Sequence, residues 1–315
     1  MNFKQLEYIM TIYYEGGIHK AAAKLFISQP ALSQHLQRVE EEIGIRIFER
    51  GTNPLRPTYA GQHYLNTVER LLYEHRQEQI WIDEMNHNMH GKLSIGISAA
   101  RSMQFLPKLL PEFRKIFPQI EIDLHEEPMF SFQSMMAKGE IDFALMAAEI
   151  FCDGLVYIPL VRERFFLAVP PESEANEICR KSVEECGVVR LEQLAGEPFI
   201  LLRHGGHTRK VADELFAKKG IIPDIALETT NADLAFALSG AGYGLSFVSG
   251  MCAEFSNAYP RPNCYPMNDG EFKEWTLGVA YRREHYQTKA MAAFIDFTRK
   301  KIAEYPFAIR ETTAS

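Results

Sequence analysis

The chain has 315 residues, 46% hydrophobic and 24% charged, with 34 Lys/Arg against 41 Asp/Glu and a net charge of −7. Such a composition suits about two or three soluble domains and excludes a disordered, collagenous or coiled-coil-only chain. The acidic balance excludes a generic basic coat for nucleic acid, yet residues 1–60 carry seven Lys/Arg against six Asp/Glu, a slightly positive balance.

Met1-Asn2-Phe3-Lys4 leads straight into periodic sequence, without the apolar core of a signal peptide. Leu6, Ile9, Met10 and Tyr13 form a helical stripe that Gly16-Gly17 stops. His19–Leu25 is a short helix of small residues, and Phe26-Ile27 is a turn. Ser28 is a good N-cap for the next helix, and Pro30 fits only its first turn. Leu32, Leu36 and Val39 share the inward face, leaving Gln29, Ser33, Gln34, Gln37 and Arg38 outside, with no carboxylate before Glu40. Amides pair with adenine and arginine with guanine in the major groove. Two short helices, a tight turn and this face describe a helix-turn-helix; a merely solvated face is the alternative.

Ile45–Arg50 reads as a strand, Gly51-Thr52-Asn53-Pro54 as a turn and Leu55-Arg56-Pro57 as the return strand. The product is a β-wing with Arg50 and Arg56 at its base and Asn53 near its tip. A wing arginine reaches phosphate or the minor groove, and Arg50 has an ion-pair role as its alternative.

This segment resembles the winged helix-turn-helix of LysR-type transcriptional regulators. The matching pieces are Phe3-x-x-Leu6, Ala21-Ala22-x-x-Leu25, Ser28-Gln29-Pro30-Ala31-Leu32-Ser33, Ile47-Phe48-x-Arg50 and Arg56-Pro57-Thr58-x-Ala60-Gly61. His19 and Tyr59 depart from the pattern. The resemblance implies double-stranded DNA as partner and assigns Ser28, Gln29, Pro30, Ser33, Gln34, Gln37, Arg38, Arg50, Asn53 and Arg56 to it.

Thr58 caps a helical pattern running to about His87. Within it Leu65, Val68, Leu72, His75, Gln79 and Ile82 are spaced 3-4-3-4-3, a heptad seam. The expectation is that a partner helix covers it; packing against its own chain is the alternative. In the family this helix makes the dimer, and two-fold symmetry implies a pseudo-palindromic operator. The resemblance adds a dimer of dimers, with RNA polymerase as a further partner.

From Gly91 strands and helices alternate, which means α/β architecture with largely parallel sheets. Expected strands include Leu93–Ile97, Ile120–Leu124, Gly139–Leu145, Phe165–Val169, Phe199–Leu202, Ala226–Glu228, Gly244–Val248 and Trp275–Tyr281. Expected helices cover Phe105–Phe117, Ser134–Lys138, Thr208–Lys219, Ala232–Leu238 and Lys289–Ala303. The longest uncharged run, between Asp233 and Glu254, reads as a buried helix–turn–strand rather than a membrane span. Phe117-Pro118, Gly139-Glu140-Ile141-Asp142, Leu194-Ala195-Gly196 and Gly240-x-Gly242-x-Gly244 resemble the family's effector domain, itself similar to periplasmic binding proteins. The whole chain then divides into a DNA-binding domain (1–58), a linker helix (59–90), lobe I (91–161 and 267–315) and lobe II (162–266). The resemblance places an effector between the lobes.

Ligands of open α/β sheets bind outside the carboxyl ends of the strands. That rule selects Ser98, Arg101, Ser102, Pro128, Met129, Phe130 and Ala147 in lobe I. In lobe II it selects Arg203, His204, His207, Thr208, Asn231 and Phe247. A helix start at Ser98–Ser102 with Arg101, Arg203 and the histidines favours a small organic anion, with Met129, Phe130 and Phe247 holding an apolar body. Glu126 and Glu127 count against it, since either would neutralise Arg101.

The five cysteines, 152, 179, 186, 252 and 264, show no CxxC, so reduced cytoplasmic thiols are expected. Peroxide-sensing relatives carry a reactive Cys in the loop that here reads Arg203-His204-Gly205-Gly206-His207-Thr208, and Phe216 stands at the resolving position. A Cys179–Cys186 redox pair is the alternative regulator, and a small-molecule binding protein whose N-terminal domain docks protein rather than DNA is the alternative class. No Walker loop, HExxH or GxSxG is present, and His204 and His207 lack a third metal ligand, so neither an enzyme nor a metal or cofactor protein is expected.

Overall fold

The computed structural model describes residues 2–52, 54–86, 91–147, 154–204, 207–267, 275–305 and 308–309. The chain divides into two units, residues 1–88 with 134–140, and residues 89–133 with 141–315.

In the first unit, α1 (Phe3–Glu15) starts at a capping box. The Asn2 side chain accepts from Gln5 N, and the Gln5 side chain accepts from Asn2 N. Gly16, at φ 63°, ends it. Helix α2 (Ile18–Lys24) leads through Phe26 to α3 (Gln29–Ile43), where Ser28 Oγ accepts from Ala31 N at 3.4 Å and Pro30 sits in the first turn. The core joins Leu6, Ile9, Met10, Ala21, Ala22, Leu32, Leu36 and Val39.

The expected two-stranded wing is reduced to one antiparallel bridge, Phe48 to Pro57. Glu49 N donates to Arg56 O at 2.8 Å and Thr58 N to Ile47 O at 2.9 Å. The rest of the ladder is replaced by a side chain. Glu40 Oε1 accepts from Ile47 N at 2.7 Å and from Phe48 N at 3.3 Å. Thr58 Oγ1 accepts from Gly61 N at 2.9 Å and so caps α4 (Tyr59–Asn86). Gly61 is required there, because a Cβ would lie 1.9 Å from Ile47 O.

The first half of the heptad row on α4 does not face outward as expected. Leu65, Val68 and Leu72 are buried in the core of their own unit, where α4 packs on α1. His75 stacks on Phe3 at 3.8 Å. Gln79 and Ile82 are exposed. One residue away in phase, Leu71, Trp81 and Met85 are 40%, 43% and 54% exposed.

The second unit holds two sheets. The six-stranded sheet runs β11-β4-β10-β3-β1-β2, with β1 (Gly91–Ile97), β2 (Ile120–Glu126), β3 (Phe143–Ala147), β4 (Leu155–Glu163), β10 (Trp275–Arg282) and β11 (Ala308–Ile309). The five-stranded sheet runs β7-β6-β8-β5-β9, with β5 (Phe165–Val169), β6 (Pro198–Leu202), β7 (Asp224–Thr229), β8 (Leu245–Ser249) and β9 (Asn263–Pro266). Strand β1 is parallel to β2 and β3, and β6 is parallel to β7 and β8. Strands β10 and β5 run antiparallel to their neighbours. Each sheet has its own core, one around Ile95, Phe113, Phe143 and Phe294, the other around Phe199, Phe216 and Phe247.

The helices are α5 (Ala99–Ile116), α6 (Phe132–Lys138), α7 (Ala175–Cys186), α8 (His207–Lys219), α9 (Ala232–Gly240), α10 (Gly250–Phe255) and α11 (Lys289–Ile302). Helix α5 begins six residues before its expected start, so Arg101 and Ser102 lie in a helix rather than a turn. Helices α7 and α10 and strands β4 and β9 had no counterpart in the sequence reading. Among the described residues no helix is long and apolar enough to cross a membrane.

Candidate nucleic-acid interface and interlobe cleft

On α3 the side chains of Gln29, Pro30, Gln34, Gln37 and Arg38 are exposed and Ser33 is half-buried. Ser28 is the N-cap. The inward turn of Glu40 toward the wing backbone removes that carboxylate from the outer face. Gln37 Nε2 donates to Glu41 Oε1 at 2.9 Å, so one amide is already engaged one turn on. Arg50 and Arg56 are exposed on the wing, and neither forms an ion pair among the described residues. Asn53 lies outside the described residues. The result is a polar, amide-rich helix face, with two exposed arginines on the wing.

In the second unit, α5 starts at the carboxyl end of β1 with Ser98 as N-cap, and the Ser98 side chain makes no capping bond. Arg101 does not meet Glu126 or Glu127. Its Nη1 pairs with Glu163 Oε1 at 2.9 Å and lies 3.5 Å from Met251 Sδ. Glu163 has no exposed surface. Glu126 instead hydrogen-bonds the Ser102 hydroxyl. A second link joins the sheets' helices: Gln104 Nε2 on α5 donates to Asp233 Oδ1 on α9 at 3.0 Å.

Pro128 is the N-cap of a 3-10 turn, Met129–Ser131, after β2, and Phe130 is 83% exposed. Ala147 is buried at the end of β3. Arg203 and His204 are exposed after β6. His204 has both ring nitrogens engaged, Nε2 at 2.9 Å from Arg209 Nη2 and Nδ1 at 3.4 Å from Asp213. That arrangement rests on Arg209, a buried guanidinium that also bonds Leu202 O, Asp213 and Glu228. Thr208 is half-buried, and the His207 side chain lies outside the described residues.

One expected cleft residue is placed elsewhere, and another is engaged in a helix cap. Phe247 is buried in the core of the second sheet against Phe199 and Phe216, because the β8 alternation turns it away from α9. Asn231 spends its Oδ1 capping α9, accepting from Asp233 N and Leu234 N. Sequence reading missed Gln104, Glu163 and Asp233, whose partners are distant in the chain, and Arg209, whose partners are close in the chain but gathered from two strands, a loop and its own helix. An open groove lined by Leu110, Arg114, Pro118 and Ile122 lies between α5 and edge strand β2 and holds none of these groups.

Cys179 and Cys186 are not arranged as a switch. Cys179 and Cys186 share α7, about 10 Å apart along its axis, beyond disulfide reach. Burial pushes the Cys179 thiol up to about 12. Cys186 is exposed and donates to Ser182 O. Cys152 lies outside the described residues.

Comparison with known proteins agrees with this arrangement. Residues 3–62 match the bacterial regulatory helix-turn-helix family of LysR type, and residues 86–303 match the LysR substrate binding domain. The HTH-type transcriptional regulator YcgK of Bacillus subtilis, itself uncharacterized, is 28% identical over 96% of both chains. The Escherichia coli regulator cbl is 29% identical over 79% of this chain and 77% of its own. In fold, a full-length OxyR variant from Pseudomonas aeruginosa superposes with a TM-score of 0.71 at 21% identity, covering 95% of each chain. With a helix-turn-helix unit at residues 3–62 and a substrate binding domain at residues 86–303, matched over most of its length, the chain belongs to the LysR family of DNA-binding transcriptional regulators.

Proposed function

We propose that α3 lies in the major groove of a pseudo-palindromic operator. Gln29, Pro30, Ser33, Gln34, Gln37 and Arg38 face base edges and phosphates behind the Ser28 cap, and Arg50, Asn53 and Arg56 follow the backbone from the wing. The observation that carries this is that residues 29–39, the first three turns of α3, hold no carboxylate, and that Glu40, the first one reached, turns inward to the wing backbone. CbnR, 24% identical with a TM-score of 0.60 over 95% of this chain and 99% of its own, has been seen complexed with its target DNA, and α3 is read here by analogy. Gln29→Ala is expected to lower discrimination between operator and random duplex, measured by fluorescence anisotropy, while leaving the dimer intact. Equal loss on both duplexes would remove α3 from the groove.

The four-part division, residues 1–58, 59–90, 91–161 with 267–315, and 162–266, is the working domain map. A second copy pairs along α4 through Leu71, Trp81, Ile82 and Met85, and the pairs assemble further into a dimer of dimers that contacts RNA polymerase. The protein works in the cytoplasm and turns over no substrate. Its effector is a small organic anion held at the uncapped N-terminus of α5, with Arg203 and His204 facing it from the other lobe. In this reading Arg101 positions the crossover strand through Glu163 and is not the anion's counter-charge. A thermal-shift screen of the full chain with small carboxylates tests it, because a ligand that binds only the folded state raises the midpoint. A response to neutral or cationic compounds alone would reverse the assignment.

A further inference from the structure

Phe26 has no reason within the folded monomer to be phenylalanine. It is the single non-glycine residue with positive φ among the described residues, at 54°. Its hydrogen bonds explain the conformation: Phe26 N donates to Ala23 O at 3.2 Å and Ile27 N to Ala22 O at 3.1 Å. These are the two bonds of a Schellman ending of α2, whose left-handed position favours glycine or asparagine. A large side chain there normally compensates by burial. Phe26 instead is 95% exposed.

The place of the ring supplies the reason. Phe26 stands two residues before Ser28, the cap of α3, and Ser28, Gln29 and Pro30 are the next exposed residues. The N-terminal end of a recognition helix is the part that reaches base edges. An aromatic ring continuous with that face has no hydrogen-bond donor to offer phosphate. The apolar feature available in the major groove is the C5 methyl of thymine, which distinguishes T·A from every other pair.

We propose that Phe26 is a specificity-determining DNA contact whose ring packs on a thymine methyl at one position of each operator half-site. The inference rests on the placement of α3 in the major groove.

The test uses the full-length protein and duplexes selected by it from a randomised pool. In the selected site each thymine is replaced in turn by deoxyuridine, which removes only the methyl. One position per half-site is expected to weaken wild-type binding about fourfold, the equivalent of one buried methyl group. Phe26→Asn, a residue that accepts the left-handed backbone, is expected to lose affinity for the thymine duplex and to become indifferent to that replacement. Its thermal midpoint is expected to be no lower than wild type, which separates lost contact from lost fold. If Phe26→Asn binds as wild type, or is weakened equally on thymine and deoxyuridine duplexes, the methyl contact is overturned. Gln29→Ala separates the two levels. If it loses discrimination while Phe26→Asn and deoxyuridine are silent, only the Phe26 contact fails. If it too is silent, the groove placement of α3 fails with it.

Discussion

Arg101, in the first turn of α5, holds Glu163, the last residue of β4, at 2.9 Å, and the carboxylate is wholly buried. A buried pair contributes little net stability when whole, but breaking it strands a charge. Arg101→Met is therefore expected to destabilise the protein by about 3–5 kcal/mol in urea unfolding. Adding Glu163→Gln to that variant removes the stranded charge and is expected to restore most of the loss. Equal stability of the single and double variants would show that the pair is not the source.

His285 gives a pH dependence of defined sign. It is buried, with Nε2 3.9 Å from Asp142 Oδ1, at the limit of ion-pair range. Burial, with Arg282 nearby, pushes its pKa down to about 4. The fold thus prefers neutral imidazole, while the unfolded chain takes the proton near its usual value of about 6.5. The contribution is intact above pH 6.5 and is lost as pH falls toward 4, about 3 kcal/mol at most. Asp142, whose carboxyl burial raises, works in the opposite sense and offsets part of it. The stability of wild type minus that of His285→Gln, measured by denaturant titration from pH 7 to 4, isolates the imidazole. A difference that stays flat across the window would refute this.

Gly61 is a packing requirement rather than a loop preference. A Cβ there would meet main-chain Ile47 O, which no rotamer change can relieve. Gly61→Ala is expected to cost about 1–3 kcal/mol by calorimetry. Gly196→Ala, where a Cβ meets nothing within 4 Å, serves as the control and should leave the transition in place.

Leu71 and Leu72 are neighbours in sequence with opposite expected roles. Leu72 is buried in its own unit, so Leu72→Ala is expected to destabilise the fold by about 2–5 kcal/mol. Leu71 is exposed, so Leu71→Glu is expected to leave the melting transition in place and shift the dimer toward monomer in sedimentation velocity. A dimer untouched by Leu71→Glu would move the pairing face elsewhere on α4.

This pair of leucines also marks where sequence reading stops. Heptad spacing reveals that α4 has an apolar row, but two rows lie one residue apart on the same helix. Which of them meets α1 and α3 is decided by tertiary packing. The helix-turn-helix was legible because its signals are local: a serine cap, a first-turn proline and a glycine stop. The wing was less so, because Glu40 does with a side chain what strand alternation led one to expect of the backbone. Positions at strand ends were identified as a region, yet Phe247 turned inward and Asn231 turned to its own helix. Glu163 was invisible, since its partner lies 62 residues away and β4 had not been assigned.

The order of strands in the six-stranded sheet has a consequence for biosynthesis. Strand β10, between β3 and β4, is made only after the whole five-stranded sheet has been translated. Until then β3 and β4 have no partner between them, and their inward edges are open to other chains. The nascent polypeptide must complete its second lobe before its first can close, so the first lobe depends on long-range pairing and matures late. Truncation before residue 275 would deprive the first sheet of its central antiparallel strand, leaving a product prone to aggregate rather than a smaller sensor.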